Sequence, residues 1–324
     1  MVHAVRIYSY GGPEVLTYET VDVAAPAAGE VRLRQRACGV NYIDCYQRSG
    51  SYKLPALPAI LGMEGAGEVV ALGEGVTDVQ IGDRVAYAMA VGGYAEERNI
   101  AAARVVPVPA AIDDATAAAM MLQGMTVRYL FRETFPVTAK TVMLFHAAAG
   151  GVGLIACQWA RAIGATLIGT VSSDEKAALA HAAGATHVIN TSREDFVARV
   201  REITGGAGCD VAYDSVGKDT FPGSLDCLKP KGLWVSFGSA SGAVPPFELA
   251  MLSGKGSLFA TRPTLATYIA KREDLLANTS ELFGMIASGH IKIAVNQRYP
   301  LSQAAQAHRD LEGRLTTGSS VLIP

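Results

Sequence analysis

The sequence predicts an α/β protein of two domains, a partly open β-barrel with a doubly wound parallel sheet inserted into it. Three observations predict this. Up to about residue 120, short apolar runs are punctuated by Gly, Asp and Pro, the pattern of small barrel strands. From about Met125 to Arg262 the rhythm changes to strand followed by helix, which with short turns implies parallel strands joined by right-handed crossovers. Early in that stretch, Ala148-Ala-Gly-Gly-Val-Gly stands between an apolar run, 142–145, and a helical run from Leu154.

The barrel comes first. Val31-Arg-Leu-Arg-Gln-Arg-Ala alternates apolar and polar residues, the period of a half-buried strand. Arg32, Arg34 and Arg36 then form a solvated face. Further strands are expected over 67–72 and 84–89. In the second domain, strands are expected over 142–146, 166–171, 187–190, 210–215, 233–237 and 257–261. Between the first two, Ile155, Trp159, Ala162 and Ile163 share one helix face, and Gly164 follows as its cap. Ser173 can cap a helix that runs to Gly184. The last sixty residues hold helical stretches over 272–288 and 301–311, then an apolar strand, 320–323. A terminal strand must pair to be ordered, so it is assigned back to the barrel. The expected domains are 1–124 with 264–324, and 125–263, with the active cleft between them.

Composition narrows the function classes. The 324 residues are long enough for two domains and a large core. Half are hydrophobic and 18% are charged, below the usual share of about 25%, so the chain is globular rather than disordered. A net charge of −2 offers no general attraction to nucleic acid or anionic membrane. Residues 1–12 lack the apolar stretch of a secretory signal, and no apolar run approaches the ~20 residues that cross a bilayer. Cys38, Cys45, Cys157, Cys209 and Cys227 form no CxxC pair. Such a scattered, odd set reads as reduced thiols in a cytoplasmic protein.

The glycine bend carries the chemistry. Ala148-x-Gly150-x-x-Gly153 fits the GxGxxG frame with alanine in first place. A strand that turns straight into a helix leaves the first helical N–H groups unpaired beside the positive dipole end. That is a cradle for a dinucleotide pyrophosphate, and flanking strand and helix are the context the motif requires.

These segments, with others, carry a resemblance over nearly the whole chain. They are Asn41-Tyr-Ile-Asp-Cys-Tyr-Gln-Arg-Ser-Gly, Leu61-Gly-Met-Glu-Gly-Ala-Gly, and His146-Ala-Ala-Ala-Gly-Gly-Val-Gly with Gln158 and Arg161. Tyr213-Asp-Ser-Val-Gly and Gly318-Ser-Ser complete the set. In this order the chain resembles the medium-chain dehydrogenase/reductase superfamily, and within it the zinc-free quinone oxidoreductases related to zeta-crystallin. The resemblance implies a GroES-like barrel and a Rossmann domain. Lys140 and Thr141 depart from the family pattern just before the bend, in an expected surface turn. Zinc-dependent relatives carry a Cys and a His where this chain has Asn41 and Met63, and four cysteines where 88–105 has none. An amide and a thioether are poor replacements for zinc's thiolate and imidazole. The six histidines show no ligand spacing, so no metal is expected.

The expected cofactor is NADPH. An NAD site usually offers an Asp or Glu at the end of the second strand; here Ser172-Ser173 and then Lys176 follow it. Hydroxyls and an ammonium suit a 2′-phosphate, although Ser173 would serve equally as a plain N-cap and Lys176 as a solvated cation. Resemblance adds Thr191 beside the adenine ribose and Arg314 at the phosphate. It places Ala149, Gly150, Gly151, Val152 and Gly153 at the pyrophosphate, and Ser215-Val216-Gly217 and Phe237-Gly238-Ser239 at the nicotinamide. Thr126 is expected to open a helix facing the cofactor. Resemblance also puts Asn41, Tyr46, Tyr52 and Gln123 around the reacting end, where amides can bind a carbonyl and tyrosines can stack on a flat substrate. Asp44 and Arg48, four apart, are expected to pair.

The function these residues imply is metal-independent reduction of quinones. Reduction of activated C=C bonds in enals or enones uses the same hydride route and is the alternative. A non-enzymatic NADPH-binding protein is the third reading. The expected partner is a small electrophilic acceptor, and 256–261 is expected to form an edge strand that pairs across a homodimer axis.

Overall fold

Alternation decides the first strands. In Glu30–Val40 the apolar Val31 and Leu33 are buried while Arg34 and Arg36 point to solvent, where they pair with Glu97 at 3.3 Å and Glu68 at 2.8 Å. The structure, a computed structural model, describes residues 1–324. Its chain divides into two compact units: 1–125 with 268–287 and 293–324, and 126–267 with 288–292. The return to the first unit thus falls a few residues later than the sequence implies. Residues 288–292 stay with the second unit, where Gln158 holds Lys292 through bonds of 2.8 and 3.1 Å at its backbone N–H and carbonyl.

The first unit begins with β1 (Val2–Ile7), β2 (Thr17–Val21), β3 (Glu30–Val40), α1 (Tyr42–Ser49), β4 (Ala59–Ile60), β5 (Glu64–Leu72), β6 (Arg84–Ala88), β7 (Glu97–Ala101) and β8 (Val106–Pro107). Val31, Leu33, Val69, Val85, Tyr87 and Ile100 fill one of its cores. Helix α2 (Asp114–Tyr129) follows, and the division between units falls inside it. Thr126 therefore lies near the end of a sixteen-residue helix and does not open one. Gly124, two residues before Thr126, does not interrupt the helix, which runs on to Tyr129.

The second unit contains β9 (Val142–Phe145), α3 (Gly151–Ile163), β10 (Thr166–Val171), α4 (Asp174–Ala183), β11 (His187–Asn190), α5 (Phe196–Ile203), β12 (Cys209–Asp214), α6 (Gly223–Asp226), β13 (Leu228–Ser236), α7 (Ala250–Gly254) and β14 (Phe259–Thr261). The sheet order is β11-β10-β9-β12-β13-β14, all parallel. The order reverses at β9 and β12, the switch point where open α/β sheets bind ligands. Leu144, Ile168, Ile189 and Ala212, from four adjacent strands, share one core cluster. Gly164 ends α3 in the left-handed region, and the Ser173 side chain caps α4 by accepting from the Lys176 N–H. Lys140 is exposed in the expected turn, while Thr141 closes it and is buried: its N–H donates to the Thr138 carbonyl and its hydroxyl accepts from the Thr138 N–H, both at 3.0 Å.

After α8 (Leu265–Tyr268), the chain adds α9 (Arg272–Ala287), β15 (Val295–Pro300), α10 (Ala304–Glu312) and β16 (Ser319–Ile323). The terminal β16 pairs with β3 and β15, completing the order β15-β16-β3-β5-β6-β8, with β7 also on β3.

The expected Asp44–Arg48 pair does not form. Both side chains are buried, and α1 sets them on different neighbours. Arg48 reaches α10, binding Glu312 at 2.7 and 3.0 Å, while Asp44 accepts from the Asn41 N–H at 2.8 Å and the Tyr94 hydroxyl at 2.9 Å. The i,i+4 rule describes solvent-facing helix surfaces, where nothing else competes. Buried His308 joins this network, 3.0 Å from Tyr94 and 3.1 Å from Arg48. Burial, then the Arg48 charge, pushes His308 down to about 3. Its neutral form therefore stabilises the fold fully above pH ~6.5, and that contribution is lost as pH falls toward the folded value. Asp44, pushed up to about 7 by burial, changes stability in the opposite direction. Comparing urea unfolding of the parent and His308→Gln between pH 7 and 5 isolates the histidine. The parent should lose up to about 1.4 kcal/mol per pH unit relative to the variant.

Candidate active site

The segments expected to hold the cofactor after β9, β10, β11, β12 and β13 all follow the carboxyl ends of parallel strands, so they line one edge of the second unit's sheet. After β9, Ala147 takes a positive φ of 55° and the Gly150 N–H returns to the Ala147 carbonyl at 3.0 Å. Gly150 is the N-cap of α3 and carries no side chain to cap it, so the first-turn N–H groups are open to an anion. A Cβ on Gly153 would stand 2.6 Å from the Ala148 backbone and closer still to the Ala147 carbonyl. That contact seats Ala149, Gly150, Gly151 and Val152 as a tight bend. A diphosphate fits this arrangement.

After β10 the structure brings Ser172, Ser173, Lys176 and Thr191 together. The Lys176 ammonium lies 3.5 Å from the Ser172 hydroxyl, and Thr191 donates to the Val171 carbonyl through its N–H and its hydroxyl. The first carboxylate beyond the strand, Asp174, accepts from Asn190 at 2.9 Å and pairs with Arg193 at 2.8 Å. It is thereby committed elsewhere. Arg314 belongs to the first unit, in a positive-φ turn after α10.

The segments after β12 and β13 pack backbone to backbone. A Cβ on Gly238 would meet the Ser215 carbonyl at 2.5 Å, and the Ala240 N–H donates to that carbonyl at 3.1 Å. Two side chains that the sequence reading missed hold these loops. Buried Asp214 accepts from the Val216 and Gly217 N–H groups at 2.9 and 3.0 Å. Although burial opposes ionisation, His146 and the Gly217, Thr220 and Ser224 donors hold its carboxyl below the usual range. Arg262 donates to the Ser236 and Gly238 carbonyls at 2.9 and 2.7 Å and to the Ser239 hydroxyl at 3.1 Å, fixing the turn that bears Phe237. Asp214 stood inside a quoted motif, and Arg262 had only its place just beyond an edge strand as a signal.

In the first unit, Asn41 and Gln123 do meet. The Gln123 amide donates to the Asn41 carbonyl oxygen at 3.1 Å, and the Asn41 amide donates to Glu64 at 2.8 Å. Glu64, also missed, is fully buried; burial pushes it up to about 8, against the Asn41 and Leu122 donors. Tyr46 and Tyr52 form a ring pair with centroids 5.2 Å apart, and Tyr52 is 43% exposed, leaving aromatic surface for a flat ligand.

Comparison with known proteins agrees in both units. Residues 27–110 match the alcohol dehydrogenase GroES-like domain, and 151–274 match the family described as zinc-binding dehydrogenase. A quinone oxidoreductase of Pseudomonas aeruginosa is 53% identical over the full length of both chains. The chain belongs to the quinone oxidoreductase family of medium-chain dehydrogenases/reductases. The crystal structure of Escherichia coli quinone oxidoreductase complexed with NADPH superposes with a TM-score of 0.98 at 51% identity, over 99% of this chain and all of that one. A 2-haloacrylate reductase of Burkholderia sp is 44% identical, over 100% of this chain and 99% of its own. In this quinone oxidoreductase family member, Asn41 and Met63, the positions where the resemblance led us to expect zinc ligands to be replaced, are engaged by neighbouring side chains. Asn41 bonds Glu64 and Gln123, and the Met63 sulfur accepts from Gln47 at 3.2 Å. No three His, Cys, Asp or Glu side chains converge as a metal site.

Proposed function

We propose that the chain reduces quinones with NADPH, the second unit binding the cofactor and the first binding the acceptor. One observation carries this: an uncapped, glycine-seated α3 N-terminus in a chain 53% identical to a quinone oxidoreductase over its full length. Bound NADPH supplies the hydride. The protein's part is orientation and electrostatics. The α3 N–H groups hold the diphosphate, and Ser172, Ser173 and Lys176 take the 2′-phosphate that a carboxylate would repel. Thr191 completes the adenosine end. Thr126, Ser215–Gly217 and Phe237–Ser239 hold the nicotinamide, the glycines allowing close approach. Asn41 and Gln123 donate to the acceptor carbonyl while Tyr46 and Tyr52 stack on it or pass it a proton.

Reduction of an electron-poor C=C bond is the second reading, favoured by the relative named a 2-haloacrylate reductase. The two separate by following NADPH oxidation with a quinone panel and a panel of enones and haloacrylates. We expect saturable quinone turnover and a preference for NADPH over NADH. Turnover with the alkenes alone would replace the first reading with the second. Dimerisation through β14, the free edge of the sheet carrying 62%-exposed Phe259, belongs to the same proposal, as light scattering at twice the 33.9 kDa chain mass would show. Five buried free thiols support a cytoplasmic location, and no helix is long and apolar enough to cross a membrane.

A further inference from the structure

A chain of hydrogen bonds in the first unit ends on the buried carboxyl group of Glu64. The Ser319 hydroxyl donates to Gln123 Oε1 at 2.7 Å, Gln123 Nε2 donates to Asn41 Oδ1 at 3.1 Å, and Asn41 Nδ2 donates to Glu64 Oε2 at 2.8 Å. The Leu122 N–H, inside α2, donates to the other oxygen of Glu64 at 2.8 Å. All four side chains are buried. Room for the carboxylate comes from Gly39, where a Cβ would stand 2.5 Å from Glu64 Oε2 and closer still to the Ala118 carbonyl.

Polarity is the point of this arrangement. An amide has a donating end and an accepting end of nearly equal size, so packing alone does not choose between its two orientations. A hydroxyl both donates and accepts. Both oxygens of Glu64 accept here, Oε1 from the Leu122 N–H and Oε2 from the Asn41 amide. Glu64 therefore turns the Asn41 nitrogen toward itself, which turns the Asn41 oxygen toward Gln123 and the Gln123 oxygen toward Ser319. Each amide then has one N–H left, held in one place.

We propose that Glu64 is a positioning residue for acceptor reduction, orienting the Asn41 and Gln123 amides so that their remaining N–H groups meet the acceptor carbonyl. This rests on the reading that those two amides bind the acceptor. A buried carboxyl group is costly unless its oxygens are hydrogen-bonded, and here its two acceptors stand where two neutral amides need a fixed direction. Glu64 itself touches no acceptor in this account; it acts through Asn41.

Glu64→Gln tests it, since the volume is kept while the terminal group gains a donating end. We expect kcat with the acceptor to fall between about tenfold and a hundredfold, the cost of misplaced polar groups, with the NADPH dissociation constant unchanged. Asn41→Ala should also lower kcat, and adding Glu64→Gln to it should cost nothing further, because the residue being oriented is gone. Gly39→Ala, which displaces the same carboxylate, should behave likewise if Glu64→Gln does not fold. The side-chain amide resonances of Asn41 and Gln123 should shift together in Glu64→Gln, a readout independent of turnover. Unmoved resonances, or losses that multiply in the double variant, would overturn the role of Glu64. If Asn41→Ala leaves kcat unchanged while those resonances do shift in Glu64→Gln, the acceptor reading has failed and the orienting role stands.

Discussion

Gly153→Ala should cost the protein most of its affinity for NADPH as well as part of its stability. The added Cβ would meet backbone atoms, the Ala147 carbonyl and the Ala148 Cα and carbonyl carbon, which cannot swing aside as a side-chain tip can. Either the 147–150 turn or the first turn of α3 must move. Overpacking of this kind costs about 1–3 kcal/mol. The same movement re-aims the N–H groups that hold the diphosphate, so titration calorimetry should show affinity at least about tenfold weaker, or 1.4 kcal/mol. Gly150→Ala is the control. Gly150 has φ −76° and ψ 173°, open to any residue, and its Cβ would meet only the Ala147 carbonyl at 3.3 Å. Its effect should be small, and equal losses at the two glycines would contradict the structural account.

Asp214→Ala should be the most destabilising single change in the second unit. One fully buried carboxylate accepts from the Val216 and Gly217 N–H groups, the Thr220 and Ser224 hydroxyls and the Trp234 indole. These donors tie β12 to the 215–217 loop, α6 and β13, and Ser224 passes the network on to His146 at 3.0 Å. Alanine leaves the two N–H groups and the indole without that acceptor, while the hydroxyls can turn to other partners. Each stranded donor costs about 1–3 kcal/mol, less whatever water can enter. A net loss near 3–5 kcal/mol is expected, a large share of the ~5–15 kcal/mol that holds a domain. Asp214→Asn should lose less, because its oxygen can still accept from Val216 and Gly217. Denaturant midpoints would rank the three proteins, and an Asp214→Ala midpoint within error of the parent would refute the network's role.

Which features were legible follows from how local their causes are. The bend at 148–153 was legible because a strand-to-helix turn must use glycine wherever a Cβ strikes its own neighbours in the chain. Ser173 was legible because a cap acts three residues away. Thr126 was misplaced because a continuous helix leaves no mark where one compact unit gives way to the next. The Asp44–Arg48 expectation failed because both side chains are buried, so distant Tyr94 and Glu312 compete for them. Glu64 lay in a quoted segment, yet only its neighbour Met63 was weighed. Nothing within a few residues of Glu64 shows that Asn41 and Leu122 will converge on it.

By itself the sequence determined the strand–helix rhythm, the glycine-tight bend that opens α3 and the amide and thioether chemistry of Asn41 and Met63, because each rests on short-range sterics or on the chemistry of one side chain. Only the tertiary structure decided how Asp214, Arg262 and Glu64 orient the loops and amides they hold. Trp234 stands 20 residues from Asp214, Ser236 26 from Arg262, and Asn41 and Leu122 stand 23 and 58 from Glu64, and hydrogen-bond polarity is settled when folding brings donor and acceptor together.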